Sequence, residues 1–506
     1  MTLNDVIELL APVQIAAPEQ IAQQGTMKIE SVAYDSRKVK NGTLFVAIKG
    51  FKTDGHLFID KAVQGGASVV VCEELPTQRA ATCVYLRVES SRKALARLAK
   101  AFYSNASDKL TIIGVTGTNG KTTTTFLIKS ILDANGIKSG LIGTIEYQIG
   151  NHVIEAERTT PEALELHEFF DKMINAGCTH CVMEVSSHSL ALHRTDGIRF
   201  QVGVFTNLSR DHLDFHGTVE NYFNAKKILF DRLDAQATAV TNWDDPYGKR
   251  IVSDCRATIM TYSVSSEERH SMPSHGDSDE ITLCAKVLRY ELSATSVMLT
   301  VGGETHIHAF GLIGKFNLYN ILAAYGAAAA LGLSHNAIVH GISKCKGVRG
   351  RMEQIWSKDH RCAIVDYAHS PDALENVMRA IREVMPKEGK LITVFGCGGE
   401  RDKGKRPQMG RVAEQLSDTV ILTSDNPRSE DPETILDDIE AGMSKNKAHY
   451  RIVNRKEAIK KGIELLQQGD VLLVAGKGHE TYQDIQGLKH HFDDREVIEK
   501  FFKALG

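Results

Sequence analysis

Apolar residues along the chain fall into two rhythms. One is a near-continuous run of four to six, bounded by glycine or polar residues: GTLFVAI at 42–48, ASVVVC at 67–72, LTIIGVTG at 110–117, CVMEVSS at 181–187 and VGVFTNL at 202–208. Runs that short and that rich in β-branched residues predict strands covered on both faces, as in parallel sheets. The other rhythm repeats every three to four residues, as in SSRKALARLAKAFYSN at 90–105 and TTTTFLIKSILDANG at 122–136, and predicts helices with one buried stripe. Past GVRGRMEQI at 347–355 the alternation is regular, with helical stretches separating CAIVDYA, LITVFGCGG, TVILTSDNP and DVLLVAGKG. Four strands that each end in polar or glycine-rich residues predict a doubly wound parallel sheet with its ligands at the carboxyl ends.

The chain has 506 residues, which at roughly 150 per domain suggests three domains. The texture divides accordingly into a small α/β domain at 1–108, a central α/β domain at 109–346 and a C-terminal Rossmann-like, doubly wound domain at 347–506. A polar stretch, SVSSEERHSMPSHGDSDE at 263–280, reads as a surface excursion. Lys and Arg number 60 against 63 Asp and Glu, so no basic excess is present to neutralise a phosphate backbone, and nucleic acid is excluded as the default partner. Phe316 to Ser343 carries no charge, but Asn317, Asn320, Ser334, His335, Asn336 and His340 interrupt it, and it reads as buried helix rather than membrane span. Asp5 and Glu8 lie within the apolar N-terminal pattern, which has no basic n-region. A cytoplasmic protein without membrane insertion is expected. Nine cysteines at irregular spacing suggest reduced thiols, and Cys178-Thr179-His180-Cys181 has no second pair to complete a zinc site.

The sharpest chemical signal is GVTGTNGKTTTT, from Gly114 to Thr125. An apolar strand runs into a glycine turn that opens a helix. Backbone N–H groups from Gly117 through Thr118, Asn119 and Gly120 can wrap anionic oxygens, the helix presents its positive end, and Lys121, Thr122 and Thr123 add a cation and hydroxyls. The implied ligand is ATP with Mg²⁺. Five residues separate Gly114 from Gly120 where the strict pattern has four. A GTPase is disfavoured because Asn242-Trp243-Asp244 lacks the lysine of a guanine-reading motif.

With this loop the sequence resembles the Mur ligase family, ATP-dependent amide-forming enzymes that build the peptidoglycan stem peptide. GTNGKTTT is that family's form of the loop. The likeness continues through DSR at 35–37, TTP at 159–161, MEVSSHSL from Met183, FTNLSRDHLDFHG from Phe205, YFNAK ending at Lys226, GKFNLYN from Gly314, GRME at 350–353, DYAHSPDAL from Asp366 and GCGGERDKGKRP from Gly396. DNPR at 425–428 and GKGHE at 476–480 resemble the branch that adds meso-diaminopimelate to UDP-N-acetylmuramoyl-L-alanyl-D-glutamate. The resemblance implies that Ser36, Phe51, Lys52 and Thr53 hold the uridine diphosphate, and that Thr159, Thr160, Ser186 and Arg194 line the path of the muramoyl peptide. It implies metal ligands in Thr122, Glu184 and His212, with Lys226 as a carbamate, and nucleoside contacts from Asn320 and Asp366. Arg401, Asp425, Asn426, Pro427, Arg428, Gly476 and Glu480 would receive the amino acid. Where some relatives have a substrate-facing Gln, this chain has Leu192. A monomer is expected.

The residues make chemical sense unaided. Joining a carboxylate to an amine in water is uphill, so the carboxylate must first take the γ-phosphoryl of ATP and become an acyl phosphate. Lys121 and Mg²⁺ would neutralise charge, and Lys121, Glu184, His212 and Lys226 form the catalytic set. Glu184 could instead be a capping or surface-paired acid, His212 a hydrogen-bonding loop residue, Asp402 to Arg406 a solvated charged turn, and DNPR a cap for the helix that Ser429, Asp431 and Pro432 suit. Three rival functions are a lysine-adding ligase, a ligase adding glutamates to folate, and a non-catalytic nucleotide-binding regulator.

Overall fold

A computed structural model describes residues 1–16, 25–50, 53–264, 281–345, 347–444 and 448–505. Its contacts divide into two compact units, one built on Met1–Tyr262 and Ala323–Gly341, the other on Leu283–Leu322 and the chain from Ile342 onward.

The first unit contains two sheets. The N-terminal sheet has the order Gln14–Ala16, Val84–Arg87, Ala67–Cys72, Thr43–Val46, Ser31–Ala33, parallel except for its first strand. Helices Leu3–Leu10 and Ser91–Phe102 cover one face, and both begin where the sequence supplies a cap. Thr2 and Asp5 form a reciprocal capping box, and Ser90 accepts from the Lys93 N–H. Helix Ser91–Phe102 and the short turn Ala106–Lys109 lead into the central sheet.

Six parallel strands form the body of that sheet, in the order Thr258–Val264, Thr238–Asn242, Val202–Phe205, Thr111–Thr116, His180–Glu184, Ser139–Ile142. An antiparallel hairpin, Glu146–Ile149 and His152–Glu155, extends one edge. Thr111–Thr116 lies in the middle. Strands that follow it are laid down first on one side and then on the other, so the direction of winding reverses at its carboxyl end, where a crevice forms. Helix Lys121–Ala134 starts there, with its Ile128, Ile131 and Leu132 buried.

The second unit holds the doubly wound sheet: Glu353–Trp356, Cys362–Asp366, Val471–Ala475, Leu391–Phe395, Thr419–Leu422, Tyr450–Arg451. All but the first strand are parallel. Helices Pro371–Val384, Lys405–Leu416 and Pro432–Glu440 supply the core on one face, Arg455–Leu465 and Asp494–Leu505 the core on the other. The four strands expected from apolar runs are all present. A three-stranded antiparallel meander, Ile281–Tyr290, Thr295–Val301 and Glu304–Phe310, was not anticipated. Helix Lys315–Ala330 is apolar all round and largely buried, as its composition predicts. Among the described residues no helix is long and apolar enough to cross a membrane. Cys178 and Cys181 are buried free thiols. Most of the polar stretch at 263–280 lies outside the described residues.

Candidate active site

The glycine turn after Thr111–Thr116 is held open from behind. Gly117 has φ +150°, and a Cβ there would overlap the Thr206 hydroxyl, so only glycine lets the loop pass this close to the neighbouring strand. The Thr118 N–H donates to the Asn207 carbonyl at 2.8 Å, the Asn119 N–H to Asn207 Oδ1 at 3.0 Å, and Thr206 Oγ1 to the Asn119 carbonyl at 2.6 Å. FTN at 205–207 is therefore the scaffold that shapes the loop. Lys121 Nζ donates to the Gly117 and Thr118 carbonyls at 2.9 and 2.8 Å, which places its ammonium on the loop. Thr122 and Thr123 are buried in the first turn of the helix.

Lys226 is 1% exposed and donates to the same Gly117 carbonyl at 2.8 Å, with its ammonium 4.4 Å from the Tyr222 ring centre. Burial drives its pKa well below the usual lysine value, Lys121 adds to the shift and Asp211 opposes it. Glu184 is fully buried at the end of His180–Glu184, opposite Val115 of the loop strand, which disposes of the surface-paired alternative. Its carboxylate accepts from the Thr144 N–H at 2.8 Å and the Thr144 hydroxyl at 3.1 Å. His212 takes a left-handed backbone, φ +52°, and its half-exposed ring lies 4.9 Å from that of His188 and 5.9 Å from that of Tyr222. Burial lowers its pKa and Lys121 and Lys226 lower it further, against Asp211. Among the described residues no three His, Cys, Asp or Glu side chains are arranged as a metal site. Hydroxyl and carboxylate oxygens at Thr122 and Glu184 nonetheless suit Mg²⁺, which usually takes one or two protein ligands beside phosphate and water.

A cleft of about 890 Å³ lies beside the N-terminal sheet, lined by Tyr34, Asp35, Ser36, Thr53, Arg158 and Glu162 among others. Arg92, Arg158 and Arg194 stand 3.9, 3.4 and 2.8 Å from the Glu162 carboxylate, so three guanidinium groups share one acid in a locally basic cluster. From there the chain leads back to the loop region. Thr160 Oγ1 donates to the Glu184 carbonyl at 2.8 Å, the Ser186 N–H donates to Thr160 Oγ1 at 3.2 Å, and Arg194 donates to the Thr160 carbonyl at 3.0 Å. The Thr159 hydroxyl lies 3.0 Å from that of Thr144, the Glu184 partner. Ser36 and Thr53 thus line the cleft, and Thr159, Thr160, Ser186 and Arg194 form a hydrogen-bonded chain that links its Glu162 to Glu184. Phe51 and Lys52 lie outside the described residues.

At the carboxyl ends of the second sheet, three separated segments meet. Asp425 is buried, and a Cβ on Gly476 would stand 2.5 Å from its Oδ2. Asn426 Nδ2 donates to Glu480 Oε2 at 2.8 Å. Arg428 has φ +53° and donates through Nη1 to the Gly399 carbonyl at 2.6 Å, while its Nη2 has no hydrogen-bond partner among the described residues. Helix Pro432–Glu440 is capped by Asp431, so DNPR does not serve that purpose. Arg401 is exposed on the adjoining turn; Arg406, at the end of the supposed solvated run, is fully buried against Glu430 and Asp438 at 3.0 and 2.9 Å. Asp366, whose carboxylate accepts from the Met352 and Ala368 N–H groups at 2.7 and 2.8 Å, has its pKa raised by burial against the pull of Arg351. Asn320 is buried and donates to Asn317 Oδ1 at 3.1 Å.

Family models match along most of the chain: the Mur ligase family catalytic domain at 28–103, the Mur ligase middle domain at 115–328 and the Mur ligase glutamate ligase domain at 350–478. The UDP-N-acetylmuramoyl-L-alanyl-D-glutamate–2,6-diaminopimelate ligase of Chlorobaculum tepidum is 49% identical over 94% of this chain and 93% of its own length. The chain belongs to the Mur ligase family. The enzyme of the same name from Bacteroides fragilis is 43% identical over 99% of both chains. A solved structure of a UDP-N-acetylmuramoyl-L-alanyl-D-glutamate–2,6-diaminopimelate ligase covers 100% of this chain and 99% of its own, at TM-score 0.70 and 32% identity. The fold is the three-domain α/β architecture of this family.

Sequence reasoning missed several residues of these sites. Thr206 and Asn207 shape the loop from a different strand, and Arg92, Arg158 and Glu162 form an ion-paired cluster on the cleft. Glu162 directly follows the TTP motif, which was the available signal.

Proposed function

We propose that the chain adds meso-diaminopimelate to UDP-N-acetylmuramoyl-L-alanyl-D-glutamate, with ATP as the energy source, in peptidoglycan precursor synthesis. The segments 1–108, 109–346 and 347–506 are taken as its domains, and it is read as a cytoplasmic monomer. The observation that carries the amino-acid specificity is Arg428, anchored through Nη1 on the Gly399 carbonyl, with Nε 4.0 Å from the Asp484 carboxylate and Nη2 free of hydrogen bonds among the described residues, close in the chain to the Asp425 carboxylate and, through Asn426, linked to that of Glu480. Diaminopimelate differs from lysine by one carboxylate on the far carbon, and a guanidinium matches that group. Asp425 and Glu480 suit its ammonium groups.

In this reading the arginine cluster around Glu162 holds the acidic muramoyl peptide, and Ser36 and Thr53 hold its nucleotide. Thr160, Ser186 and Arg194 guide the peptide carboxylate toward Glu184 and the loop. Lys121 and the N–H groups at the start of helix Lys121–Ala134 hold the triphosphate, the Thr118 and Asn119 N–H groups being taken by Asn207, so that the carboxylate can attack the γ-phosphorus in line and ADP can leave. The amine then attacks the acyl carbon, phosphate departs, and the amide remains. Thr122, Glu184 and His212 would hold Mg²⁺, which supplies charge neutralisation on the phosphates. Lys226, buried and favoured in its neutral form, can add CO₂: the amine forms an N–C bond, a proton goes to solvent, and an anionic carbamate replaces a cation beside the loop. Asn320 and Asp366 are assigned to the nucleoside end of ATP. Phosphate release that requires ATP, the UDP-dipeptide and diaminopimelate together tests the reading; release with folate and glutamate, or none with any amine, would overturn it.

A further inference from the structure

Lys477 stands in the middle of GKGHE and was given no role by its sequence. It is fully buried, which is costly for an ammonium unless every donor is matched. Gly476, at φ +114°, turns the chain so that this side chain points beneath the amino-acid pocket rather than to solvent. Its Nζ donates to Glu480 Oε2 at 3.0 Å and to Asn426 Oδ1 at 3.1 Å, and it lies 5.5 Å from the Tyr482 ring centre.

These contacts decide which way the Asn426 amide faces. Its Oδ1 accepts from Lys477 and also from the Asp484 N–H at 3.0 Å. An ammonium and a backbone N–H can only donate, so the amide oxygen must face them and Nδ2 must face Glu480. Glu480 Oε2 then receives two donors, from Asn426 at 2.8 Å and Lys477 at 3.0 Å, and Oε1 is the oxygen left to receive a ligand. The same network reaches Arg428. The Asp484 carbonyl accepts from the Arg428 N–H at 3.0 Å, and the Gln486 N–H donates to the Arg428 carbonyl at 2.8 Å, which ties the hairpin Tyr482–His491 to the DNPR segment.

We infer that Lys477 is a positioning residue of the amino-acid pocket, orienting Asn426 and Glu480 so that Glu480 Oε1 and Arg428 stand at a fixed separation and accept one amino acid. It need touch no substrate to do this. The inference rests on the reading of this end of the sheet as the amino-acid pocket.

The test is steady-state kinetics on full-length Lys477→Met, Glu480→Gln and the double variant, with KM measured separately for diaminopimelate, ATP and the UDP-dipeptide. Lys477→Met should raise KM for diaminopimelate about tenfold or more, with kcat changed about threefold or less and the other two KM values unchanged. Because Lys477 acts through Glu480, the double variant should be no worse than the more damaged single one. An unchanged KM for diaminopimelate in Lys477→Met, or fully multiplicative effects in the double variant, would overturn the inference. Should Lys477→Met fail to fold, Asn426→Asp carries the same test, because it keeps the acceptor for Lys477 but cannot donate to Glu480; an unchanged KM there would overturn it as well. Failure of the pocket reading itself looks different: Arg428→Ala and Glu480→Gln would then both leave KM for diaminopimelate unaltered.

Discussion

The two sites at the carboxyl ends of the two large sheets are built on opposite plans. The loop site of the central sheet is one contiguous stretch of backbone, Gly114 to Thr125, with two lysines, Lys121 and Lys226, donating to the same Gly117 carbonyl. The pocket of the C-terminal sheet gathers side chains of alternating charge from 425–428 and 476–484, with a backbone carbonyl from Gly399. A triphosphate is a single block of negative charge and can be met by N–H groups and cations in one turn. An amino acid with charges at both ends needs acids and bases at fixed distances, which only tertiary structure supplies. On the proposed function the first plan serves reaction, and the second serves selection.

The largest expected effect breaks the first site alone. Lys121→Ala should lower turnover about a thousandfold or more while leaving binding of the UDP-dipeptide intact, as measured by phosphate release and by calorimetry. Near-wild-type turnover would remove the loop from the mechanism. Lys226→Ala comes next, with an expected loss of about a hundredfold, partly restored by short-chain carboxylic acids that return the missing anion. A harmless substitution, or one that no acid rescues, contradicts the carbamate and leaves Lys226 as a buried amine.

A smaller effect separates stability from both sites. His167 is fully buried, neither ring nitrogen has a hydrogen-bond partner among the described residues, and burial lowers its pKa to about 4. Its ordinary value is 6.5. The folded state therefore holds it neutral, and the unfolded chain binds the extra proton first as pH falls. Stability is whole above pH 6.5 and erodes down to about pH 4, by something on the order of 3 kcal/mol. His167→Leu should flatten that acid limb in thermal melts between pH 7.5 and 4.5, with both sites unaffected. An acid limb identical to wild type would show that His167 is not its source.

The same difference of plan governs what could be read from the sequence. The loop is legible because its chemistry is contiguous, and the strands of the second sheet are legible because burial on both faces leaves unbroken apolar runs such as VLLVA and LITVF. Strand order is not legible: Val471–Ala475, last of the long strands in sequence, lies between Cys362–Asp366 and Leu391–Phe395. The antiparallel meander is not legible either, because ITLCAKVLRY and ETHIHAF alternate apolar and polar residues, a weaker signal than a continuous run. Arg158 and Glu162 lie four residues apart, but Arg92 joins them only when helix Ser91–Phe102 packs on helix Ala163–Asn175, and Lys477 acquires meaning only beside Asn426.

Selection by Arg428 is the central claim, and competition between the two amino acids tests it most directly. With meso-diaminopimelate and L-lysine at equal concentration, wild-type kcat/KM should favour diaminopimelate by about a thousandfold or more, and Arg428→Ala should shrink that ratio to about tenfold or less. Comparable values for the two amino acids in the wild type, or an unchanged ratio in Arg428→Ala, would contradict it.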